Sequence, residues 1–382
     1  MAGHLISVSW GDHLEFGEGD GALATPDALE RAITRWRREF AARGLLWREQ
    51  RTYERYARHY TTPGVSRRGY YEKALRPRAF DEHATVIELA HANAMKAYVY
   101  ITLFDEGWPL DLGWGGGFEG WQTYYVLRNP HHQLMDRSQR YVLPGVLCYA
   151  YPEVRQYRMG QIRWLLSEHP WDGVFLCTRS QSPPAQFADQ FGFNPPIVEE
   201  FRRRYDTDIL TTDFDLESWR RLHGEFLTLF LREVSSLLHA MGKELLVGIP
   251  RARYIGPPIG NLYLDWECWI RDGIVDALVI DQVASICPST WIWLWPKEQQ
   301  GYGYVQNYLT GKGIPPLNED IATNWYPAIS HSRCRLFLAR MWHPFDPGEH
   351  ERLLALPGVS GLVFSSFHLE NPEIFERQLW PQ

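Results

Sequence analysis

Short apolar segments recur along the whole chain, and longer segments in which apolar residues repeat every three or four positions separate them. The first pattern is typical of strands buried on both faces and the second of amphipathic helices, so their alternation indicates parallel β-α-β units. The eight predicted strands are Leu5–Trp10, Leu45–Gln50, Ala97–Phe104, Gly173–Thr178, Glu244–Ile249, Ala277–Asp281, Arg335–Met341 and Gly361–Phe367.

Helix-boundary signals lie between these strands. Thr25 followed by Pro26 predicts an N-cap and a first helical turn, and Gly44 is predicted to end that helix. Asp81 predicts the cap of the next helix. The longest helix is predicted from about residue 216 to residue 241, because its apolar residues keep a spacing of three or four throughout.

Eight strand-then-helix units without a sequence repeat or a low-complexity linker fit a (β/α)8 TIM barrel better than two doubly wound sheets. We therefore predict an α/β fold in which residues 1–382 form a single barrel domain. The extra length is assigned to long loops after strand three (about 105–150), strand four (about 179–195) and strand six (about 282–325). Loops at the carboxyl ends of the strands build the active sites of TIM barrels, so the site is expected there.

The composition is that of a soluble globular protein, with 382 residues, 45% hydrophobic and 22% charged. A formal net charge of −7 argues against nucleic acid and anionic membranes as partners, and no apolar stretch is long enough to span a bilayer. The amino terminus shows no signal-peptide pattern, so the protein is expected in the cytoplasm, or in the periplasm or outside the cell if a signal peptide has been removed. The oligomeric state stays open.

Motifs for cofactors and metals are missing from the sequence. Neither a phosphate-binding G-x-x-x-x-G-K-[ST] nor a G-x-G-x-x-G after a strand occurs, and a G-x-S-x-G nucleophile elbow is absent. The five cysteines form no C-x-x-C pair, and the histidines lack a recognised metal-ligand spacing. We therefore predict no cofactor and no metal site.

Aromatic residues make up 14% of the chain, with 17 Trp, 20 Tyr and 18 Phe. Many stand beside Gly, Pro or charged residues in predicted loops, where their flat faces suit stacking on sugar rings. Trp10, Trp108 and Trp291 are candidates for such stacking, and core packing is the alternative for each. His343 and His368 follow strands seven and eight and are candidates for hydroxyl contacts or proton transfer.

Five motifs follow one another along the chain, and among them Pro-Glu-Val-Arg followed by Asp-Gly is the informative combination. They are Tyr149-Ala-Tyr-Pro-Glu-Val-Arg155, Trp171-Asp-Gly-Val-Phe-Leu176, Phe191-Gly-Phe-Asn194, Trp266-Glu-Cys-Trp-Ile-Arg-Asp-Gly-Ile-Val-Asp276 and Gly361-Leu-Val-Phe364. Together they resemble the bacterial family-10-like glycosyl hydrolases over most of the barrel. The resemblance implies a TIM barrel that acts on glycans through carboxylates at strand ends.

One position departs from the pattern of that family. Related barrels commonly carry a carboxylate just after the Asp-Gly strand, where this sequence has Cys177-Thr178-Arg179. The departure puts the usual nucleophile position in doubt and motivates a second hypothesis, a barrel that binds glycans without turning them over. A third is a polysaccharide lyase, in which His or Tyr would remove a proton beside a uronate carboxylate near arginines.

Glycoside hydrolysis needs an acid that protonates the leaving oxygen and a carboxylate that acts as nucleophile or activates water. Asp281 is the first candidate because it closes an apolar strand, and Asp105 is the second for the same reason. Glu49 lies near the end of strand two. For each, a structural ion pair with an arginine is the alternative. Asp172 and Asp276 precede their strands, at the end of a barrel associated with stability, and are excluded.

Arginines also collect at strand ends. Arg179 follows strand four, Arg251 follows strand five and Arg340 lies inside strand seven. A guanidinium binds a carboxylate or sulfate at two points, so these residues predict an anionic substrate, a uronate or a sulfated sugar. For Arg340 the alternative is an internal ion pair with Asp281 or Asp105, because a cation inside an apolar strand is costly unless it is paired.

Overall fold

The computed structural model describes residues 3–8, 23–49, 59–60, 79–108, 121–178, 189–256, 259–280, 315–341, 346–366 and 369. Eight parallel strands hydrogen-bond to one another in chain order, and the last pairs with the first to close a barrel. They are β1 (His4–Val8), β2 (Ala42–Arg48), β3 (Lys96–Thr102), β4 (Gly173–Cys177), β5 (Glu244–Gly248), β6 (Ala277–Ile280), β7 (Arg335–Ala339) and β8 (Val359–Ser365). Every predicted strand overlaps one of these, so the predicted TIM barrel is confirmed.

Helical residues occupy every crossover between consecutive strands, as the barrel fold requires. The main helices are α1 (Pro26–Glu39), α2 (Glu82–Ala92), α3 (Pro152–Glu168), α4 (Pro195–Tyr205), α5 (Leu216–Ala240), α6 (Trp266–Arg271) and α7 (Pro347–Leu354). Short helical segments over residues 317–329 connect β6 to β7. None of the helices described is both long and apolar enough to cross a membrane.

The helix starts follow the predicted caps. The Thr25 hydroxyl accepts the N–H of Ala28 in the first turn of α1, and the Asp81 carboxylate accepts the N–H of Ala84 in the first turn of α2. The predicted end of the first helix was wrong, because α1 ends at Glu39 and Gly44 lies inside β2. A Cβ at Gly44 would come within 2.9 Å of the Leu5 side chain, so this glycine permits close packing of adjacent strands.

The barrel interior is filled by side chains from alternate positions of the strands. This inner cluster is made of Leu5, Leu46, Tyr98, Tyr100, Phe175, Cys177, Leu246, Ala277, Val279, Phe337, Ala339, Met341 and Val363. A second and larger buried cluster packs the outer faces of the strands against the helices. The described interior is therefore packed with side chains, and a ligand site is expected at an end of the barrel.

At the amino end of the barrel, acidic side chains just before two strands bind backbone amides of the neighbouring strand. The Asp172 carboxylate accepts the N–H of Ala97 at 2.7 Å, and the Asp276 carboxylate accepts the N–H of Leu245 at 2.7 Å. Each carboxylate also contacts a histidine near the end of a helix, His91 at 2.9 Å and His239 at 3.0 Å. The repeated arrangement fixes the register of the strands where they begin.

Glu244, the first residue of β5, lies at the same end. Its carboxylate is 2.8 Å from the Lys96 ammonium and 3.0 Å from the Arg335 guanidinium, and it accepts the Tyr98 hydroxyl. Burial alone would raise the pKa of Glu244, but the hydrogen bonds from Lys96 and Tyr98 hold it below its ordinary value. The amino end is therefore closed by a charge network in which this acid has three partners.

The long segment between β3 and α3 has structure of its own. It contains an antiparallel hairpin of Gln133–Met135 and Val142–Leu147, two shorter strands at Gly107–Trp108 and Trp121–Gln122, and a short helix at Tyr124–Arg128. Of the long loops predicted after strands four and six, the structure describes residues 189–195 and 315–325.

Two residues in the motifs that carry the family resemblance have structural partners. Arg155 donates to the carbonyl of Tyr149 at 2.8 Å and pairs with Glu233 on α5 at 3.1 Å. Asn194 is fully buried, and its side-chain oxygen accepts the N–H of Met135 at 3.0 Å. These contacts fasten the segment after β3 to α5 and to the start of α4, so the two residues serve the architecture of the barrel.

Candidate active site

The carboxyl ends of β2 and β3 bring a buried cation and a buried carboxylate together. Arg48 is the last residue of β2, and its Nη2 donates to Oδ2 of Asp105 at 3.0 Å. The two side chains are only 3% and 1% exposed. The Thr102 hydroxyl, at the end of β3, lies 3.4 Å from the same oxygen. Asp105 is therefore held at the carboxyl end of the barrel by its neighbouring strands.

Strand alternation explains why this pair forms. Arg48 is two residues beyond Leu46, a member of the inner cluster, so both side chains are on the inner face of β2. The guanidinium lies 5.1 Å from the centre of the Tyr100 ring, in cation–π contact. A buried cation needs a compensating charge, and Asp105 in the segment after the adjacent strand supplies it.

The second oxygen of Asp105 is different. Among the residues that the structure describes, none donates a hydrogen bond to Oδ1, although this atom is buried. An ionised carboxylate has about four acceptor positions, and a buried one that is left unused costs stability. Such an atom at the carboxyl end of a TIM barrel is suited to a donor or an electrophile from a ligand.

The next residue, Glu106, is bound from the side of helix α3. Its Oε1 lies 2.5 Å from the Arg158 guanidinium, and its Oε2 accepts the Tyr157 hydroxyl at 3.0 Å. Burial alone would lower the pKa of Arg158, but the Glu106 carboxylate raises it above its ordinary value. Arg158 is therefore a permanent cation. The consecutive acids Asp105 and Glu106 are thus bound by two arginines from different elements.

A polar pocket joins these two ion pairs. Glu49, which is also buried, is part of its lining, and the Glu49 backbone N–H donates to the carbonyl of Tyr100 at 2.9 Å. The lining residues are Arg48, Glu49, Tyr100, Ile101, Thr102, Asp105, Glu106, Thr123, Tyr157, Arg158, Gln161 and Leu165. Two of the three predicted carboxylates, Asp105 and Glu49, therefore line one pocket.

Two predicted substrate-binding arginines have partners within the protein. Arg251, after β5, donates to the carbonyl of Pro315 at 2.6 Å and lies 3.3 Å from the Asp320 carboxylate. Arg340, after β7, is 3% exposed and lies 3.9 Å from the carboxylate of Glu349 on α7. Neither of them is among the residues that line the pocket at Asp105.

The remaining predicted site residues cannot be placed in this geometry. Asp281, Arg179, Trp10, Trp291, His343 and His368 lie outside the described residues. Asp281 directly follows Ile280, the last residue of β6. The backbone of Trp108 pairs with that of Trp121 in a short sheet, and its side chain lies outside the described part.

The end of β4 carries no acid. Cys177, at the position where the resembled family commonly has a carboxylate, is fully buried in the inner cluster with Tyr100 and Phe175. Within the described ranges, no group of three or more His, Cys, Asp or Glu side chains is placed to hold a metal ion. Among the described residues, the acids that line the pocket at this end of the barrel are Asp105, Glu106 and Glu49, with arginine and hydroxyl neighbours.

Sequence reasoning missed Arg48 and Arg158, although the sequence contains a signal for each. Arg48 directly follows the apolar run Leu45–Trp47, the same feature that drew attention to Arg340. Arg158 lies on the apolar stripe of α3 with Val154. A cation at such positions requires a buried acid, and which acid depends on strand register.

Comparison with known proteins shows the fold. No protein-family model and no curated protein sequence matches the chain. The catalytic domain of beta-amylase from Paenibacillus polymyxa superposes with a TM-score of 0.51 at 10% identity, covering 96% of this chain and 92% of that one. Beta-galactosidase from the psychrophilic Marinomonas ef1 superposes with a TM-score of 0.50 at 11% identity, over 95% and 53% of the two chains.

Both solved structures are TIM-barrel glycosidases, and this chain has the same barrel fold. At such low identity the likeness extends to the fold alone. The chain spans about half the length of the beta-galactosidase. Neither structure places the chain among the family-10-like glycosyl hydrolases, so that assignment stays a prediction.

Proposed function

We propose that this protein is a glycoside hydrolase that cleaves an oligo- or polysaccharide, with Asp105 and Asp281 as its two carboxylates. The observation that carries the proposal is the state of Asp105. It is a buried carboxylate at the carboxyl end of the barrel, it is oriented by Arg48, and its Oδ1 has no hydrogen-bond partner among the described residues. The glycosidase-type barrel of the neighbouring structures supports the same class, and we propose the family-10-like group within it.

The ion pair favours the role of nucleophile or base for Asp105 over that of acid. Arg48 compensates the negative charge and occupies Oδ2, which leaves Oδ1 to attack the anomeric carbon or to remove a proton from water. Asp281, which follows β6, is proposed as the acid that protonates the leaving oxygen. Glu49 in the same pocket is the next candidate for that role. A separation of about 5–5.5 Å between the carboxyl groups gives retention, and about 6.5–9.5 Å gives inversion.

The proposed preference for an anionic sugar depends on Arg179. Arg251 and Arg340 have acids of the protein itself within 4 Å, so their charges are already compensated. We therefore expect Arg179→Ala to weaken binding of uronate-containing or sulfated oligosaccharides and to leave binding of neutral ones unchanged. Equal weakening for both kinds of glycan would remove the anionic preference from the proposal.

Product mass spectrometry tests the reaction class. The native chain, Asp105→Asn and Asp281→Asn are incubated with neutral, uronate-containing and sulfated oligosaccharides, and Asp172→Asn at the amino end serves as the matched control. We expect products that carry one added water from the native chain and from the control, and far less of them from the two test variants in the same time. Unsaturated products would instead identify a polysaccharide lyase.

A second candidate function is a glycan-binding barrel without turnover. It is favoured by Cys177, a buried thiol at the strand end where related barrels commonly carry a carboxylate. Isothermal titration with the same oligosaccharides separates the two functions. Binding by the native chain of a glycan that it never cleaves would favour this candidate over the hydrolase.

A further inference from the structure

We propose that Arg158 is a positioning residue for Asp105, since its guanidinium holds the chain on both sides of this carboxylate from helix α3. The inference rests on the proposed function, because it assigns Arg158 a part in presenting the hydrolytic carboxylate. The hydrogen bonds and the ion pair of Arg158 go to other residues and not to Asp105 itself.

The guanidinium binds residues before and after Asp105. Nη2 of Arg158 donates to the carbonyl of Leu103 at 2.9 Å and lies 3.4 Å from that of Thr102, at the end of β3. Its Nη1 is 2.5 Å from the Glu106 carboxylate. One planar cation therefore binds both ends of the segment 102–106. Within this segment, Asp105 is the acid whose carboxylate binds Arg48.

Further bonds from the segment after β3 hold the same residues. The Tyr149 hydroxyl donates to the carbonyl of Leu103 at 2.9 Å. The backbone N–H of Glu106 donates to the carbonyl of Gly145 at 2.9 Å. These contacts fix the backbone around Asp105 without using its Oδ1, which is the arrangement that a preorganised catalytic carboxylate requires.

The burial of the Arg158–Glu106 ion pair supports a role beyond stability. Arg158 and Glu106 are both buried, and a buried ion pair is often replaceable by apolar residues of similar size without loss of stability. A planar guanidinium, in contrast, is needed to bind a carboxylate and two carbonyls together, and an apolar side chain cannot do so. The geometry it fixes matters for catalysis because misplacing a reacting group by about 1 Å lowers a rate by about 100-fold.

The test compares two arginines of the same helix. Arg158→Lys keeps the charge but loses the planar fork, and Glu106→Gln keeps the size of the side chain but loses its charge. Arg155→Lys is the matched control, because Arg155 also donates to two carbonyls and pairs with an acid, Glu233. We expect kcat to fall at least about tenfold in the two test variants with KM changed less than about threefold, and kcat to stay within about twofold in the control.

Hydrogen exchange gives a readout that does not depend on turnover. We expect the peptide that contains residues 102–106 to exchange faster in Arg158→Lys and Glu106→Gln than in the native chain, and at the native rate in Arg155→Lys. A native kcat in a folded Glu106→Gln variant, or unchanged exchange of this peptide, would overturn the positioning role. If the native chain cleaves no glycan, the proposed function fails, while exchange still decides whether Arg158 holds the segment.

Discussion

The two ends of the barrel use the same residue types in different ways. At the amino end, Glu244 contacts a lysine, an arginine and a tyrosine, and Asp276 binds a backbone N–H and a histidine. At the carboxyl end, Asp105 has one arginine and a long contact with Thr102, and its Oδ1 has no partner within the described structure. The Glu244 and Asp276 carboxylates at the amino end bind groups of neighbouring strands and helices. At the carboxyl end, Oδ1 of Asp105 is available to accept a hydrogen bond from a ligand.

The largest effect on stability is expected at the carboxyl end. Arg48→Met would leave Asp105 buried without its cation, and breaking a buried pair in this way costs about 3–5 kcal/mol of unfolding free energy. Urea unfolding measures the change. Arg203→Met is the control, because Arg203 pairs with Glu200 on an exposed helix face, where solvent screens the ion pair and a much smaller loss is expected. Equal losses in the two variants would contradict the buried ion pair at Asp105.

Lowering the pH is expected to reduce the free energy of unfolding through His4, at the amino end of the barrel. Burial, with a smaller effect of His350, lowers the pKa of His4 to about 4, and its Nδ1 accepts the N–H of Leu362. The unfolded chain, with an ordinary histidine pKa of about 6.5, takes up this proton first as the pH falls. Neutral His4 therefore makes its full contribution to the free energy of unfolding above about pH 6.5. This contribution is lost between about pH 6.5 and 4, and the loss is at most about 3 kcal/mol.

Urea midpoints between pH 7 and pH 4.5 measure this effect. The His4→Gln variant is expected to show a shallower fall than the native chain, and His331→Gln, at an exposed histidine, the native fall. Parallel curves for all three proteins would show that protonation of His4 does not limit stability in acid.

Asp276→Ala is expected to reduce stability by about 1–2 kcal/mol, because it leaves the N–H of Leu245 without its acceptor. Asp172→Ala removes the equivalent bond to Ala97 and should cost a similar amount. Since both lie at the amino end, kcat should stay within about twofold of native in each. A large fall in kcat with little change in stability would assign these acids to the reaction instead.

The smallest effect is expected for Cys177→Ala. Cys177 packs in the inner cluster as a small apolar side chain, so its truncation should cost about 1 kcal/mol. Turnover should not change, because the proposed reaction gives the end of β4 no chemical role. A tenfold or greater loss of kcat in the folded variant would show that the thiol takes part.

The fold was predictable because buried parallel strands appear in a sequence as short apolar runs. All eight were located to within a few residues, and Thr25 and Asp81 cap their helices as predicted. Gly44 was misassigned because a glycine that ends a helix and a glycine that permits strands to pack look alike in a sequence. Only the contact with Leu5 on the neighbouring strand β1 distinguishes them.

The site was predictable only in part. A carboxylate after an apolar strand identified Asp105, but its pairing with Arg48 depends on the register between β2 and β3. The Arg158–Glu106 pair joins residues 52 positions apart through the packing of α3 on the barrel, and nothing local in the sequence specifies such a contact. The pairing of Arg340 with Glu349 of α7 is of the same kind.

The most direct test of the difference between the two ends is the kcat of Asp105→Asn beside that of Asp276→Asn, with near-ultraviolet circular dichroism to verify that both are folded. We predict that Asp105→Asn lowers kcat by about 10²–10⁴-fold, the contribution typical of an acid–base group, and that Asp276→Asn keeps kcat near the native value. A folded Asp105→Asn protein with native kcat, or an equal loss in both variants, would contradict the assignment of the reaction to the carboxyl end.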